Sequence, residues 1–379
     1  MKIGILTYHR SINYGAYLQA YALQNAISKY MGPAVKVEII DYDSECSTRF
    51  YNKIYKKAKG EIDYDRFVQY IKFKLCIKRL KRSRHHFCSD DLDITNEFLK
   101  QQQYDLIVVG SDEIWKTDGM RGFPTAYWLH DLCDTTRKIS YAASSRNRID
   151  RLGKDKIKYI ADSLSGFEYI GVRDRYTKKL VDSVVNKDIS IQNCDPVFLH
   201  DFVPDETQFS KLKNKNPLFN EKKVLLIMIP DDKLCNLIKL KMGDEYVIVS
   251  VMDRNQSADL NILGLGPFEW VNLIAHADCV VTNRFHGCVF SVKFNKPFIA
   301  VDDYDDEDSS KMLDLLERMG LEDHYYPYQG RKIPKLRHGV VARIKEIIQK
   351  ETDYKIMINN EQRCSDSFFD YLSKYKEGM

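Results

Sequence analysis

The chain has 379 residues, 44% of them hydrophobic and 30% charged, which excludes a disordered polymer and points to two domains of ordinary size. Fifty-eight basic against fifty-four acidic residues leave a net charge of +4, too even to mark a nucleic-acid binder. Nine cysteines, at 46, 76, 88, 133, 194, 235, 279, 288 and 364, form no C-x-x-C pair and no Cys/His zinc spacing, so neither a disulfide framework nor a structural metal is expected.

Residues 1–6 pass straight into a strand without the apolar stretch and cleavage site of a signal peptide, and with the scattered thiols this predicts a cytoplasmic protein. The longest apolar runs, such as 224–230, are far short of a bilayer span. Strand 3–7, loop 9–15, a helix carrying Leu18, Tyr21, Ala22, Leu23, Ala26 and Ile27, a stop at Gly32-Pro33 and strand 35–41 open a β-α-β unit and predict a parallel sheet. Residues 47–100 leave that rhythm; they are helical in pattern, very basic between Lys72 and His86, and look like an insertion. The α/β pattern resumes with strand 104–109, then strands 138–142, 169–172 and 189–192 and a helix over 177–185. The polar stretch 204–220 is expected to be a linker.

A second rhythm starts at strand 223–229 and continues with helix 232–242, strand 246–251, helix 267–277 and strand 279–282. An apolar helix over 288–294, strand 297–301 and helices 312–319 and 340–350 follow. The expected organisation is an α/β fold of two Rossmann-like domains facing a cleft, residues 1–203 (with the insertion) and 221–330, with helices in 331–379 that cross back to the first domain.

Thr282-Asn283-Arg284-Phe285-His286-Gly287 is the most informative stretch, lying between a strand and a helix where doubly wound folds place their ligands. Arg284 offers a fixed-charge fork for carboxylate or phosphate, His286 a group that titrates near neutrality, and Gly287 room for close backbone approach. From these residues alone, a surface Arg beside a helix-capping His remains open. Gly110-Ser111-Asp112 ends another apolar strand; Asp112 is a candidate base or sugar ligand, or a plain helix cap. Asn13-Tyr14-Gly15-Ala16 has a glycine but no dinucleotide fingerprint, and Arg173 follows a third strand end.

Lys72, Lys74, Lys78, Arg79, Lys81, Arg82 and Arg84 form a cationic block interleaved with Phe67, Ile71, Leu75 and Ile77. It suits either a packed helix with one solvated basic face or contact of residues 67–84 with an anionic surface, such as a lipid-diphosphate-linked acceptor or membrane headgroups. The acidic run 302–308 is expected to be a solvated loop and not a metal site, since consecutive carboxylates do not converge without a turn.

Taken in order, several pieces resemble the polysaccharide pyruvyl transferase family. They are Ile3-Gly4-Ile5-Leu6-Thr7 with Asn13-Tyr14-Gly15-Ala16, then Val109-Gly110-Ser111-Asp112-Glu113-Ile114-Trp115, Ile139-Ser140-Tyr141-Ala142-Ala143-Ser144, Val172-Arg173-Asp174 and Cys194-Asp195-Pro196. The block from Gly266-Pro267-Phe268 through Arg284-Phe285-His286-Gly287 to Asn295-Lys296-Pro297-Phe298 completes the set, which spans roughly residues 3–320. Many bacterial homologues carry Asp-Ser-Phe-His-Gly where this chain has Asn283-Arg284-Phe285-His286-Gly287, so the family's Arg is kept here.

The resemblance implies a fold similar to GT-B glycosyltransferases and transfer of the pyruvyl group of phosphoenolpyruvate to paired glycan hydroxyls as a ketal. It implies donor contacts at Arg284, Phe285, Gly287 and Arg173, proton transfer by His286 and Asp112, and acceptor or cleft positions at Asn13, Gly15, Ser111 and Tyr141. No metal or bound cofactor is expected, and the partner is a glycan, free or lipid-linked, in surface polysaccharide biosynthesis. A nucleotide-sugar-dependent GT-B glycosyltransferase and a non-catalytic glycan or lipid-carrier binding relative are the competing readings.

Overall fold

The computed structural model describes residues 1–57, 60–132, 136–302, 310–328, 333, 335–350 and 352–376. The acidic run 302–308, Asp302 apart, lies outside the described residues, as does Cys133.

Along the chain come β1 (Lys2–Leu6), α1 (Tyr14–Met31), β2 (Lys36–Ile39), β3 (Tyr42–Asp43), α2 (Glu45–Tyr51), α3 (Tyr64–Cys76), β4 (Phe87–Cys88) and α4 (Leu92–Gln101). β5 (Leu106–Val109), β6 (Arg137–Ala143), α5 (Lys154–Leu164), β7 (Phe167–Val172), α6 (Arg175–Val185) and β8 (Ser190–Gln192) follow. Next are α7 (Glu206–Lys215), α8 (Leu218–Glu221), β9 (Lys223–Met228), α9 (Asp232–Met242), β10 (Tyr246–Ser250), β11 (Leu260–Asn261), α10 (Pro267–Ala275), β12 (Cys279–Thr282), α11 (Phe285–Lys293) and β13 (Phe298–Asp302). The last are α12 (Lys311–Arg318), β14 (Tyr325–Pro327), α13 (Leu336–Gln349), α14 (Lys355–Arg363) and α15 (Asp366–Ser373).

The chain divides into a first compact unit of residues 1–56, 73–200 and 361–379 and a second of 57–72 and 201–360. The first unit holds a six-stranded sheet in the order β2-β1-β5-β6-β7-β8, every pair parallel. The two strands flanking β1 are thus β2 and β5, so the direction of winding reverses between β1 and β5. Ligands of doubly wound sheets sit beyond the carboxyl ends at such a reversal. Burial explains the composition: all four residues of β5 are buried, as a strand covered by helices on both faces must be. Local chemistry sets the helix ends. The Asn13 side chain accepts the Ala16 N–H to start α1, Gly32 (φ +81°) stops it, and Asp174 caps α6 through Thr177 N–H.

The second unit repeats the plan with the order β11-β10-β9-β12-β13-β14, again all parallel, and its reversal falls between β9 and β12. Its core packs β9, β10, β12 and β13 side chains such as Leu225, Ile227, Ile248, Val281 and Ile299 against α9 and α13.

Three expectations change. The stretch 204–220 is not an open linker but forms α7 and α8, because Phe209 and Phe219 supply buried anchors and Asp205 caps α7. The insertion is not one helical block. α3 ends at Cys76, Ile77 and Leu80 turn into the core, and β3 pairs with β4 through Tyr42 and Phe87. The apolar helix expected over 288–294 starts earlier, at Phe285, so Phe285, His286 and Gly287 occupy the first turn of α11.

Candidate active site

In the second unit, β12 delivers the Arg-x-His segment to the carboxyl edge at the β9/β12 reversal. Thr282, fully buried, accepts the Arg284 backbone N–H on its Oγ1 at 3.0 Å, which turns the chain sharply into α11. Gly287 lets the first turn of that helix rest on Thr282; a Cβ there would lie 2.4 Å from Thr282 Oγ1. The close approach that the glycine permits is therefore between helix and strand. Arg284 holds the N-cap position with no side-chain capping bond, and the first turn of α11 contains no acidic residue. The helix dipole makes this a positive end that favours an anion.

The Arg284 guanidinium, 41% exposed, donates from one terminal nitrogen to Asp253 Oδ2 at 2.9 Å, while its Nε is buried without a partner, as is Asn283 Oδ1. Asp253 also lies 3.7 Å from Arg66, and Arg254 pairs with Asp65 at 2.5 Å, so the start of α3 braces the loop that holds Arg284. His286 is partly buried, its ring edge-on to Phe285 at 5.2 Å, and Phe285 is buried beneath Lys311.

In the first unit, the carboxyl edge carries the other candidates. Arg173, 1% exposed, reaches Asp195 at 3.1 Å and Asp112 at 3.8 Å. Burial works against its charge, and the surrounding Asp195, Asp112 and Asp174 carboxylates more than restore it. Asp112 is 15% exposed with φ +83°, a positive-φ conformation that Asp tolerates better than most side chains, and its Oδ1 accepts the Glu113 N–H at 2.9 Å. The structure thus brings Asp112 and Arg173 together.

The remaining positions are more structural in their surroundings. Ser111 is fully buried; its Oγ donates to the Ala142 carbonyl at 2.9 Å and its N–H to Gln19 at 3.1 Å. Asn13 caps α1 and Gly15 is buried within it. Tyr141 is a core side chain whose hydroxyl meets Ser365 Oγ at 2.7 Å and the Cys194 carbonyl at 3.0 Å; burial pushes its phenol well above the usual range.

The cationic block is divided, with Lys78, Arg79, Lys81 and Arg84 exposed and the other three engaged. Lys72 pairs with Glu269 at 2.7 Å, Lys74 reaches Asn52, and Arg82 turns to Asp41 at 2.5 Å. Asp41 also receives His9, Arg10 and His86. Among the described residues no group of three or more His, Cys, Asp or Glu is placed to hold a metal ion, and no helix is long and apolar enough to cross a membrane. Burial pushes the Cys235 and Cys279 thiols up to about 12, far from a reactive thiolate.

Two charged residues of these edges had no signal in the pattern: Asp253, which meets Arg284, and Arg121, set against Tyr8, Ser11 and Ser47. Asp195, in the Cys194-Asp195-Pro196 segment, accepts from Arg173.

The family model described as polysaccharide pyruvyl transferase matches residues 13–305. No curated protein matches the chain. Among solved structures, the UDP-GlcNAc 2-epimerase of Methanocaldococcus jannaschii is 12% identical with a TM-score of 0.56, over 99% of this chain and 100% of that one. The corresponding enzyme of Neisseria meningitidis bound to UDP-GlcNAc is 11% identical with a TM-score of 0.55, over 99% and 100%. The S. aureus MnaA–UDP co-structure is 10% identical with a TM-score of 0.54, over 100% and 97%. At such identities the likeness is one of fold, and that fold is GT-B-like.

Proposed function

Because the chain belongs to the polysaccharide pyruvyl transferase family, we propose that it moves the pyruvyl group of phosphoenolpyruvate onto two hydroxyls of a glycan, forming a cyclic ketal and releasing phosphate. The observation that carries this reading is Arg284 at the uncapped start of α11, beyond the β9/β12 reversal. Phosphoenolpyruvate carries a carboxylate and a phosphate, and a guanidinium fork beside the positive end of a helix suits such a dianionic end.

The chemistry needs one proton delivered to the methylene carbon, which becomes the methyl group and leaves C2 electrophilic. One glycan hydroxyl adds to C2; the C2–O bond to phosphate then breaks, and the second hydroxyl closes the ketal. Of the two hydroxyl protons, one balances the proton given to carbon and the other leaves with phosphate. We assign these transfers to His286 and Asp112, with Arg284 and Arg173 serving the donor's negative charges. The acceptor is a glycan of surface polysaccharide biosynthesis, free or lipid-linked, met on the cytoplasmic side of the membrane.

Phosphate release from phosphoenolpyruvate in the presence of a glycan panel tests this. Arg284→Ala should lower the rate at least about 100-fold with unchanged circular dichroism, and an undiminished rate would refute the assignment. A nucleotide-sugar glycosyltransferase is the second reading, favoured by an anion-binding helix start at a Rossmann-type reversal. It expects thermal stabilisation by a nucleoside diphosphate and none by phosphoenolpyruvate. A non-catalytic relative expects acceptor binding without phosphate release.

A further inference from the structure

Arg121 stands in the loop after β5, and both polar contacts of its guanidinium are to neutral hydroxyls. One terminal nitrogen donates to Ser11 Oγ at 3.0 Å and Ser47 Oγ at 2.8 Å, and the guanidinium carbon stacks 3.6 Å from the centroid of the Tyr8 ring. Its Nε is buried with no hydrogen-bond partner, and it makes no ion pair with any described residue. Burial works against this charge, and the neighbouring tyrosines and the Asp43 carboxylate offset that without pairing with it, so the fork keeps a buried donor that no oxyanion meets.

The place fits a ligand. Tyr8 and Ser11 follow β1 and Asp112 follows β5, so the group lies at the reversal of the first sheet. Ser47 and Tyr51 of α2 close the side, with the Tyr51 hydroxyl bonded to Ser11. Nearby, Arg10 and Arg82 share the single carboxylate of Asp41, and the Arg82 Nε is likewise buried without a partner. The surroundings hold charge of both signs, with the Asp43 carboxylate acting on Arg121 and those of Asp112 and Glu113 on Tyr8.

We propose that Arg121, with Tyr8, Ser11 and Ser47, forms a second oxyanion site, within the first unit, that takes a phosphoryl group carried by the acceptor. The assignment to the acceptor rests on the pyruvyl-transfer reading, in which the donor's anionic end is served by Arg284 and Arg173; the site itself does not.

Calorimetric titration of the full chain with inorganic pyrophosphate, in saturating phosphoenolpyruvate, tests the site directly. Pyrophosphate should bind with the donor present, weaken about tenfold or more in Arg121→Gln, and remain within about twofold of wild type in Arg284→Gln. Arg121→Lys, which keeps the charge but loses the fork, should fall between the two and shows that the loss is not one of folding. Binding that is equal in Arg121→Gln, or that phosphoenolpyruvate displaces, would overturn the site. In transfer assays, Arg121→Gln should raise KM for a diphosphate-linked glycan about tenfold while leaving KM for phosphoenolpyruvate unchanged. The same glycan without its diphosphate separates the sources: an unchanged KM there assigns the phosphoryl group to the carrier, and an equal rise, with phosphate substituents on the sugar, assigns it to the glycan. Equal KM values for both glycans in wild type and variant would overturn the acceptor assignment. If phosphate release fails altogether while Arg121-dependent pyrophosphate binding persists, the donor reading falls and the site stands.

Discussion

One carboxylate, Asp41, answers to His9, Arg10, Arg82 and His86 at once, at the carboxyl edge of the first sheet. Burial alone would raise its pKa, but hydrogen bonds from His86, His9 and Arg10 outweigh that and hold it far below the usual carboxylate range. The sign of the pH effect follows. An unfolded Asp protonates near about pH 4, above the folded value, so the unfolded chain takes the proton first and this contribution to stability is lost as pH falls below that point. Thermal unfolding followed from about pH 6 down to about pH 3 should show a falling midpoint that flattens in Asp41→Asn, and that variant should be less stable by about 3 kcal/mol at neutral pH. An identical acid limb in variant and wild type would contradict this account. At this scale the sequence revealed what is local. Arg284 and His286 share one turn with the strand that presents them, so their spacing signalled a site. Arg121 meets Ser11 and Ser47 across 110 and 74 positions, and Asp253 meets Arg284 across 31, and no spacing rule reaches that far.

Elements with a strong apolar period were legible and those with a polar surface were not. β5, β9 and β12 are continuous apolar runs and appear where the pattern put them. The Lys- and Asn-rich stretch 204–220 looked like a linker because Phe209 and Phe219 are its only aromatics, and both are buried; the Phe209 ring stacks 4.1 Å from His276. Limited trypsin digestion should therefore spare Lys211, Lys213 and Lys215 of the native protein, whereas Phe209→Ala, at a cost of about 3 kcal/mol, should make them early cleavage sites. Rapid cleavage there in the native chain would restore the linker. The cationic block is legible in the sequence only in part. Its charges looked like one face of a helix, but α3 stops at Cys76, and Lys72 and Arg82 are spent on Glu269 and Asp41.

For the whole molecule, two parallel sheets with a winding reversal in each follow from the alternation of apolar strands and amphipathic helices, and that alternation is visible without coordinates. The sequence suggests that the last helices return to the first domain, but no pattern names the side chains they meet. Ser365 bonds Tyr141 and Cys194, and Phe368 packs 4.5 Å from the Tyr141 ring, so a segment from the end of the chain completes the core of the first unit. Tyr141, attractive as a cleft residue in the sequence, is buried for that reason. Each reversal carries, within its own unit, an arginine suited to an oxyanion, Arg121 at the first and Arg284 at the second. The central claim is best tested with phosphoenolpyruvate isotopically labelled at C2, incubated with the protein and a glycan acceptor. The account predicts that the label appears in the glycan at a ketal carbon bearing a methyl and a carboxylate, with one phosphate released per ketal, and that both disappear in Arg284→Ala. Glycan that stays unlabelled across the acceptor panel, while a nucleotide sugar is consumed, would contradict it.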